Sequence, residues 1–302
     1  MLLNPDKKPQ QETTTAWLFS LPALLGLLCF VLLPFALALV LSFTNLRLGS
    51  PLPLKYVGLT QYHRIFTDSA FLHALWNNTR FALIVVPLQT ALALGLALLL
   101  NRPLRGMAMF RTLFFMPVVF PLSLVSVIWI LLFAPGPQGT LNNLLHIVSF
   151  GAWTSRDFLH DPNWALPAIT LTSMWQGVGF QMVILLAALQ SIPGELYEAA
   201  RVDGASNRQQ FLFITLPQLR NALIFVVLVT TILAFRLFDQ VQIMTQGGPQ
   251  YATTTVMYET VNAAFASQQV ARGAAMTVVF FTIVLLLTLL QRFALRHERV
   301  IE

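Results

Sequence analysis

Charged residues are so sparse in this chain that the intervals between them define its architecture. No charge occurs in residues 16–43, 81–100, 112–134, 165–190 or 273–290. A further run, 221–235, is uncharged but short, and reaches spanning length only by including Arg236 and Asp239. A helix crossing hydrocarbon needs about 20 mostly apolar residues, because it must satisfy its own backbone groups there. The pattern therefore predicts an all-α integral membrane protein with six transmembrane helices at about 16–43, 77–100, 109–134, 165–190, 219–242 and 273–292, all in a single transmembrane domain, 1–302. The first run is too long for the apolar region of a signal peptide and lacks an Ala-x-Ala-like ending, so it is read as a retained helix. Between the spans, residues 59–66 can form a short surface helix, Pro135-Gly-Pro-Gln-Gly139 is a turn cluster, and Asp161-Pro162 marks a helix start before Trp164.

Composition agrees with the pattern. Of 302 residues, 56% are hydrophobic and 10% charged, against roughly a quarter charged in a soluble domain; a water-soluble globule is excluded. Cys29 is the only cysteine, so no intramolecular disulfide can form. The net charge of +6 does not point to nucleic acid, since the Lys and Arg are scattered between apolar runs rather than gathered with aromatics. They read instead as topology signals. Lys7, Lys8, Arg102, Arg105, Arg111, Arg201, Arg208, Arg220, Arg292, Arg296 and Arg299 fall on one side; Arg47, Lys55, Arg64, Arg156 and Arg272 fall on the other. The richer side is the cytoplasmic one, which places both termini inside.

Much chemistry is missing. There is no Gly-x-x-x-x-Gly-Lys phosphate loop, and the only lysines are Lys7, Lys8 and Lys55. His63, His73, His146, His160 and His297 are too dispersed for a metal site, and no nucleophile elbow is present, so neither catalytic nor metal residues are assigned. Arg236 and Asp239, three apart, read as neighbours on one helical face able to neutralise each other near the membrane surface, with a substrate or ion site as the alternative. Asn77-Asn78-Thr79 matches the glycosylation triplet, read here as coincidence. An autonomous ion-coupled carrier or channel, or a membrane enzyme, remains an alternative at this point; the first predicts buried ionisable groups or inverted repeats, the second a polar cluster at a helix end.

The segment 191–217 is the most informative. Pro193 and Gly194 break the incoming helix, Glu195 to Val202 are helix formers with Leu196, Ala199 and Ala200 on a small apolar face, and Gly204 can end the turn. An alanine-lined helix with Glu198, Arg201 and Asp203 at its margin suits close docking in a protein groove, and equally a plain amphipathic surface helix.

Glu198-Ala-Ala, three residues, Gly204, nine residues, then Ile214-x-Leu216-Pro217 resembles, at every defined position, the EAA signature of permease subunits of bacterial ABC importers. Further matches are Asn78-Thr79, Phe115-x-Pro117, Trp129 to Asn142, Asp239 and Thr245-x-Gly-Gly-Pro249; together they resemble the carbohydrate and glycerol-phosphate branch, similar to maltose-type permeases.

The resemblance implies a type I importer in the bacterial inner membrane, with a second homologous permease, two copies of a cytosolic ABC ATPase and an extracytoplasmic solute-binding protein. ATP and Mg would be used by the ATPase, and this chain would bind no cofactor. Glu195, Glu198, Ala199, Ala200, Arg201, Asp203, Gly204 and Ala205 would belong to a coupling helix seated in the ATPase, and Ala200→Trp would block that docking. The substrate path would run midway across the membrane, past Ser173, Gly177 and Phe180 on one face of the fourth span and Thr230, Ala234 and Leu237 on the fifth. Trp175, Gln176 and Gln181 are further candidates for stacking and hydrogen bonds to a sugar.

Overall fold

A computed structural model describes residues 8–102 and 104–295, side chains excepted for 8–15 and 295. Lys7, Arg296, Arg299 and both termini lie outside the described residues. The described chain is helical: α1 (Lys8–Leu27), α2 (Leu33–Leu41), α3 (Thr60–Thr67), α4 (Ser69–Leu100), α5 (Met107–Val119), α6 (Leu122–Leu132), α7 (Thr140–Val148), α8 (Ala165–Gln190), α9 (Gly194–Val202), α10 (Asn207–Gln210), α11 (Leu216–Gln218), α12 (Arg220–Phe235), α13 (Asp239–Met244), α14 (Val256–Val261) and α15 (Val270–Leu295). Five segments among the described residues are long and apolar enough to cross a membrane, six if the bent pair α5–α6 counts as one span.

Contacts divide the chain into two compact units. The smaller contains the chain through Ile65 and Thr260–Val279. Here α1 and α2 join through a π-helical turn, Leu28–Leu32, into an apolar rod, Ala16–Leu41, none of whose residues is buried. The π turn ends two residues before Pro34, and the one at Phe211–Thr215 ends two before Pro217. In each case an i→i+5 bond, Leu33 N–H to Leu28 O and Leu216 N–H to Phe211 O, relieves the crowding that a proline ring imposes on the turn before it. After the rod, Ser42 Oγ meets Tyr62 Oη at 2.7 Å and Gln61 Nε2 donates to the Thr44 carbonyl at 3.0 Å, which seats α3.

The larger unit holds Phe66–Glu259 and the chain from Phe280 onward. Its spine is α8, packed on α4 and α5, with α12 against α4. Ala93, Ala97, Met182, Leu185, Leu186, Leu189 and Val226 form one buried cluster; Phe81, Val85, Val125, Phe133, Ile169, Phe235 and Val241 belong to a second. Gly179 lets α8 close on α5, because a Cβ there would overlap the Phe114 carbonyl. Gly179→Ala should force these helices apart at a cost of about 1–3 kcal/mol. Differential scanning fluorimetry of the purified variant should show a lower midpoint; an unchanged midpoint would mean that the contact relaxes freely.

Two spans are not single unbroken helices. The third is bent by 100° between α5 and α6. Pro121 excludes the α conformation from the residue before it, and Phe120 is accordingly extended (φ −78°, ψ 138°). The fifth breaks after Phe235: Arg236 caps α12, Leu237 and Phe238 form a connector, and Asp239 opens α13. Arg236 and Asp239 therefore do not share a continuous helical face. No ion pair joins them, and both are exposed, which corrects the expected neutralised pair.

Candidate functional site

The two helix breaks frame a cavity of about 440 Å³. Its walls are Phe81, Val85 and Gln89 of α4, Val118 and Leu122 at the α5–α6 bend, the middle of α8, the C-terminal half of α12, and the connector into α13. Eight of the nine positions expected on a substrate path line it: Ser173, Gln176, Gly177, Phe180, Gln181, Thr230, Ala234 and Leu237. Leu237 arrives through the break rather than through the face of α12, which has already ended. Trp175 is not a wall residue; its ring lies edge-on to Trp129 with centroids 5.7 Å apart.

The polar groups of the cavity are partly committed. Gln181 Nε2 donates to Thr230 Oγ1 at 2.6 Å, and that hydroxyl donates onward to the Val226 carbonyl at 2.6 Å. Ser173 Oγ donates to Gln240 Oε1 at 3.1 Å, linking α8 to α13. Gln181 Oε1, by contrast, is buried and has no protein partner. An acceptor in that state is costly unless something donates to it. The Gln89 amide lies over Gly177, where a Cβ would overlap its nitrogen, so the absence of a side chain at 177 keeps that amide at the wall. Gln89, Gln240, Arg236 and Asp239 also line the space, with Phe81, Phe180 and Phe238 supplying ring surface. Gln89 and Gln240 escaped the sequence reading, although Gln89 is the only polar residue besides Thr90 and Asn101 in the stretch 81–101 and was visible as such.

The loop after α8 forms a second, separate feature. Pro193 N-caps α9, which spans Gly194–Val202 and buries none of its residues. Its end is a Schellman motif: Ala205 N–H donates to Ala200 O at 2.8 Å and Gly204 N–H to Arg201 O at 3.1 Å, with Gly204 at φ +76°. Asp203 is the C-cap, and Ser206 opens α10 with a capping box to Gln209. Tyr197 Oη meets Thr215 Oγ1 at 2.9 Å, and Gln210 Nε2 donates to Ala205 O, so α9 is anchored from one side only. Ala200 is half-buried, whereas Glu195, Glu198, Ala199 and Arg201 are exposed and Val202 is 88% exposed. Glu198 and Arg201 approach at 3.9 Å, a solvent-facing pair of little energetic weight. α9 thus presents a partly apolar, partly charged face that its own chain leaves uncovered.

The stretch 89–300 matches the family described as binding-protein-dependent transport system inner membrane component. The chain is 34% identical over 267 residues to the sulfoquinovosyl glycerol transport system permease protein of Agrobacterium fabrum, covering 88% of this chain and 85% of the relative. It is 34% identical to the lactose transport system permease protein of Rhizobium radiobacter, with 94% of each covered. Among solved structures, a bacterial alginate ABC transporter, crystallised in complex with an alginate pentasaccharide-bound periplasmic protein, contains a chain of the same fold: TM-score 0.82, 20% identity, 96% of each chain covered. With the apolar helices, the polar cavity and the projecting α9 in place, this chain belongs to the binding-protein-dependent transport system inner membrane components: it is a membrane-embedded permease subunit of the ABC importer class, and not an enzyme.

Proposed function

We propose that this permease carries a saccharide, or a related polyol or glycerol phosphate, into the cytoplasm through the cavity between α4, α8 and α12. The observation that carries the proposal is the wall itself, in which Phe180 offers a ring face while Gln89, Gln176, Gln181 and Ser173 offer amide and hydroxyl groups. The unpartnered Gln181 Oε1 fits a sugar hydroxyl, which can both donate and accept. The relatives named for sugar-bearing cargo support the same class.

In this reading α9 is the coupling helix. Glu195, Glu198, Ala199, Ala200, Arg201, Asp203, Gly204 and Ala205 form the surface that meets a cytosolic ATPase, which holds ATP and Mg; a second homologous permease and an extracytoplasmic solute-binding protein complete the importer. The distribution of Lys and Arg supports a topology with both termini on the cytoplasmic side. ATP-driven closure of the ATPase pair draws the coupling helices together, and the two permeases rock between outward- and inward-open states around the cavity.

The test is reconstitution of the chain with its neighbouring permease, ATPase and binding-protein genes in proteoliposomes, followed by a panel of radiolabelled mono- and disaccharides, glycerol 3-phosphate and amino acids. ATP-dependent accumulation of a saccharide or polyol, suppressed in Gln181→Leu, is expected. Accumulation of an amino acid alone would overturn the substrate class.

A further inference from the structure

The Asn77-Asn78-Thr79 triplet lies where α4 passes the break in the fifth span. Asn77 is 4% exposed and Asn78 fully buried, so neither is presented to a glycosylating enzyme. Their amides are spent inside the larger unit. Asn78 Nδ2 donates to the carbonyls of Ala234 at 3.4 Å and Phe235 at 3.3 Å, the last residues of α12, whose carbonyls lose helical partners where the helix stops. Asn78 Oδ1 accepts from the Val256 N–H at 2.8 Å, at the first residue of α14. One side chain thus ties together α4, the end of α12 and the start of α14. Asn77 Nδ2 donates to Tyr251 O at 2.7 Å and Thr254 O at 3.0 Å, holding the connection between α13 and α14. Thr255 Oγ1 adds a bond to Leu237 O at 2.8 Å.

Asn78 thereby holds the chain at the cavity wall, since Ala234 lines the cavity and so do Arg236 and Leu237, which follow Phe235. We infer that Asn77 and Asn78 form a clamp fixing the outer wall of the cavity to α4, with Asn78 the positioning residue for the wall segment from Ala234 to Leu237. Asn78 is fully buried, so opening the clamp would strip its amide of these partners away from water. The clamp therefore travels as one body with α4, and the outer wall does not hinge at the break during transport. The inference rests on the proposed role of the cavity only for its functional meaning; the geometry of the clamp stands apart from it.

The test uses the assembled importer in nanodiscs, with Cys29→Ala and Ala234→Cys introduced so that one thiol reports on the wall. Asn78→Ala should raise the rate of modification of that thiol by a membrane-impermeant methanethiosulfonate about tenfold and speed hydrogen exchange in peptides covering 254–258 by a similar factor, leaving peptides from 85–100 unchanged. Bimane at position 234 should shift to longer emission wavelength. Asn77→Ala should accelerate exchange at 250–255 and leave the thiol at 234 slow, a division that a general loss of packing does not produce. Unchanged thiol and exchange rates in Asn78→Ala, or acceleration spread over the whole chain in both variants, would overturn the clamp. Failure of the cavity reading shows separately: the thiol at 234 would then react equally in the nucleotide-free and vanadate-trapped complexes with Asn78 intact.

Discussion

Ala199→Trp abolishes ATP-driven uptake while leaving the permease inserted and assembled with its second permease. Ala199 is exposed on α9, about one helical turn from the exposed Val202. In the proposed docking of α9 on the ATPase, an indole there would keep the helix from seating. At a central contact such a block costs on the order of 2–4 kcal/mol, or about 30-fold or more in coupling. Ala200 is the less discriminating site, because it is half-buried and its carbonyl closes the Schellman turn at Ala205. Trp at 200 mixes docking with folding; Trp at 199 separates them. Uptake in proteoliposomes with gel filtration of the complex reads both, and normal uptake in Ala199→Trp would remove α9 from the interface.

Gly177→Leu is the second variant of large effect. Position 177 faces the Gln89 amide so closely that even a methyl group must push it aside, and a leucine extends into the cavity. Overpacking of this kind costs about 1–3 kcal/mol, so transport should fall by about 10- to 100-fold. Trp175→Phe is its control, two residues away on the same helix but packed on Trp129 outside the cavity wall, and its uptake should stay within about twofold. Equal losses in both variants would mean that the wall residues of α8 act through packing rather than through the path.

The comparison of these two positions shows what was legible in the chain. Periodicity placed Ser173, Gly177 and Phe180 on one face of a straight helix, and α8 is such a helix. It could not say which way the Trp175 ring turns, since that depends on Trp129, a partner distant in sequence. The same limit explains Arg236 and Asp239. Spacing of three makes neighbours only within an unbroken helix, and nothing local to Leu237 and Phe238 announces the break. Carbonyls released there are taken up by Asn78, far away along the chain. Pro121, by contrast, carries its own reason for the bend, although the apolar run 112–134 does not give its size, because hydropathy counts residues and not their dihedral angles. The loop was the most readable part: Pro193, Gly194 and Gly204 act locally, and α9 begins and ends where they stand.

The central claim is that α9 joins this permease to an ATPase. The direct measurement places a photo-crosslinking amino acid at position 199, irradiates the chain in its native membrane, purifies it in mild detergent and identifies the adduct by mass spectrometry. The account predicts a soluble protein bearing a phosphate-binding loop, with a second permease carrying its own EAA loop in the same preparation. Adducts only with lipid or with another copy of this chain, under conditions that keep other ABC complexes intact, would contradict it.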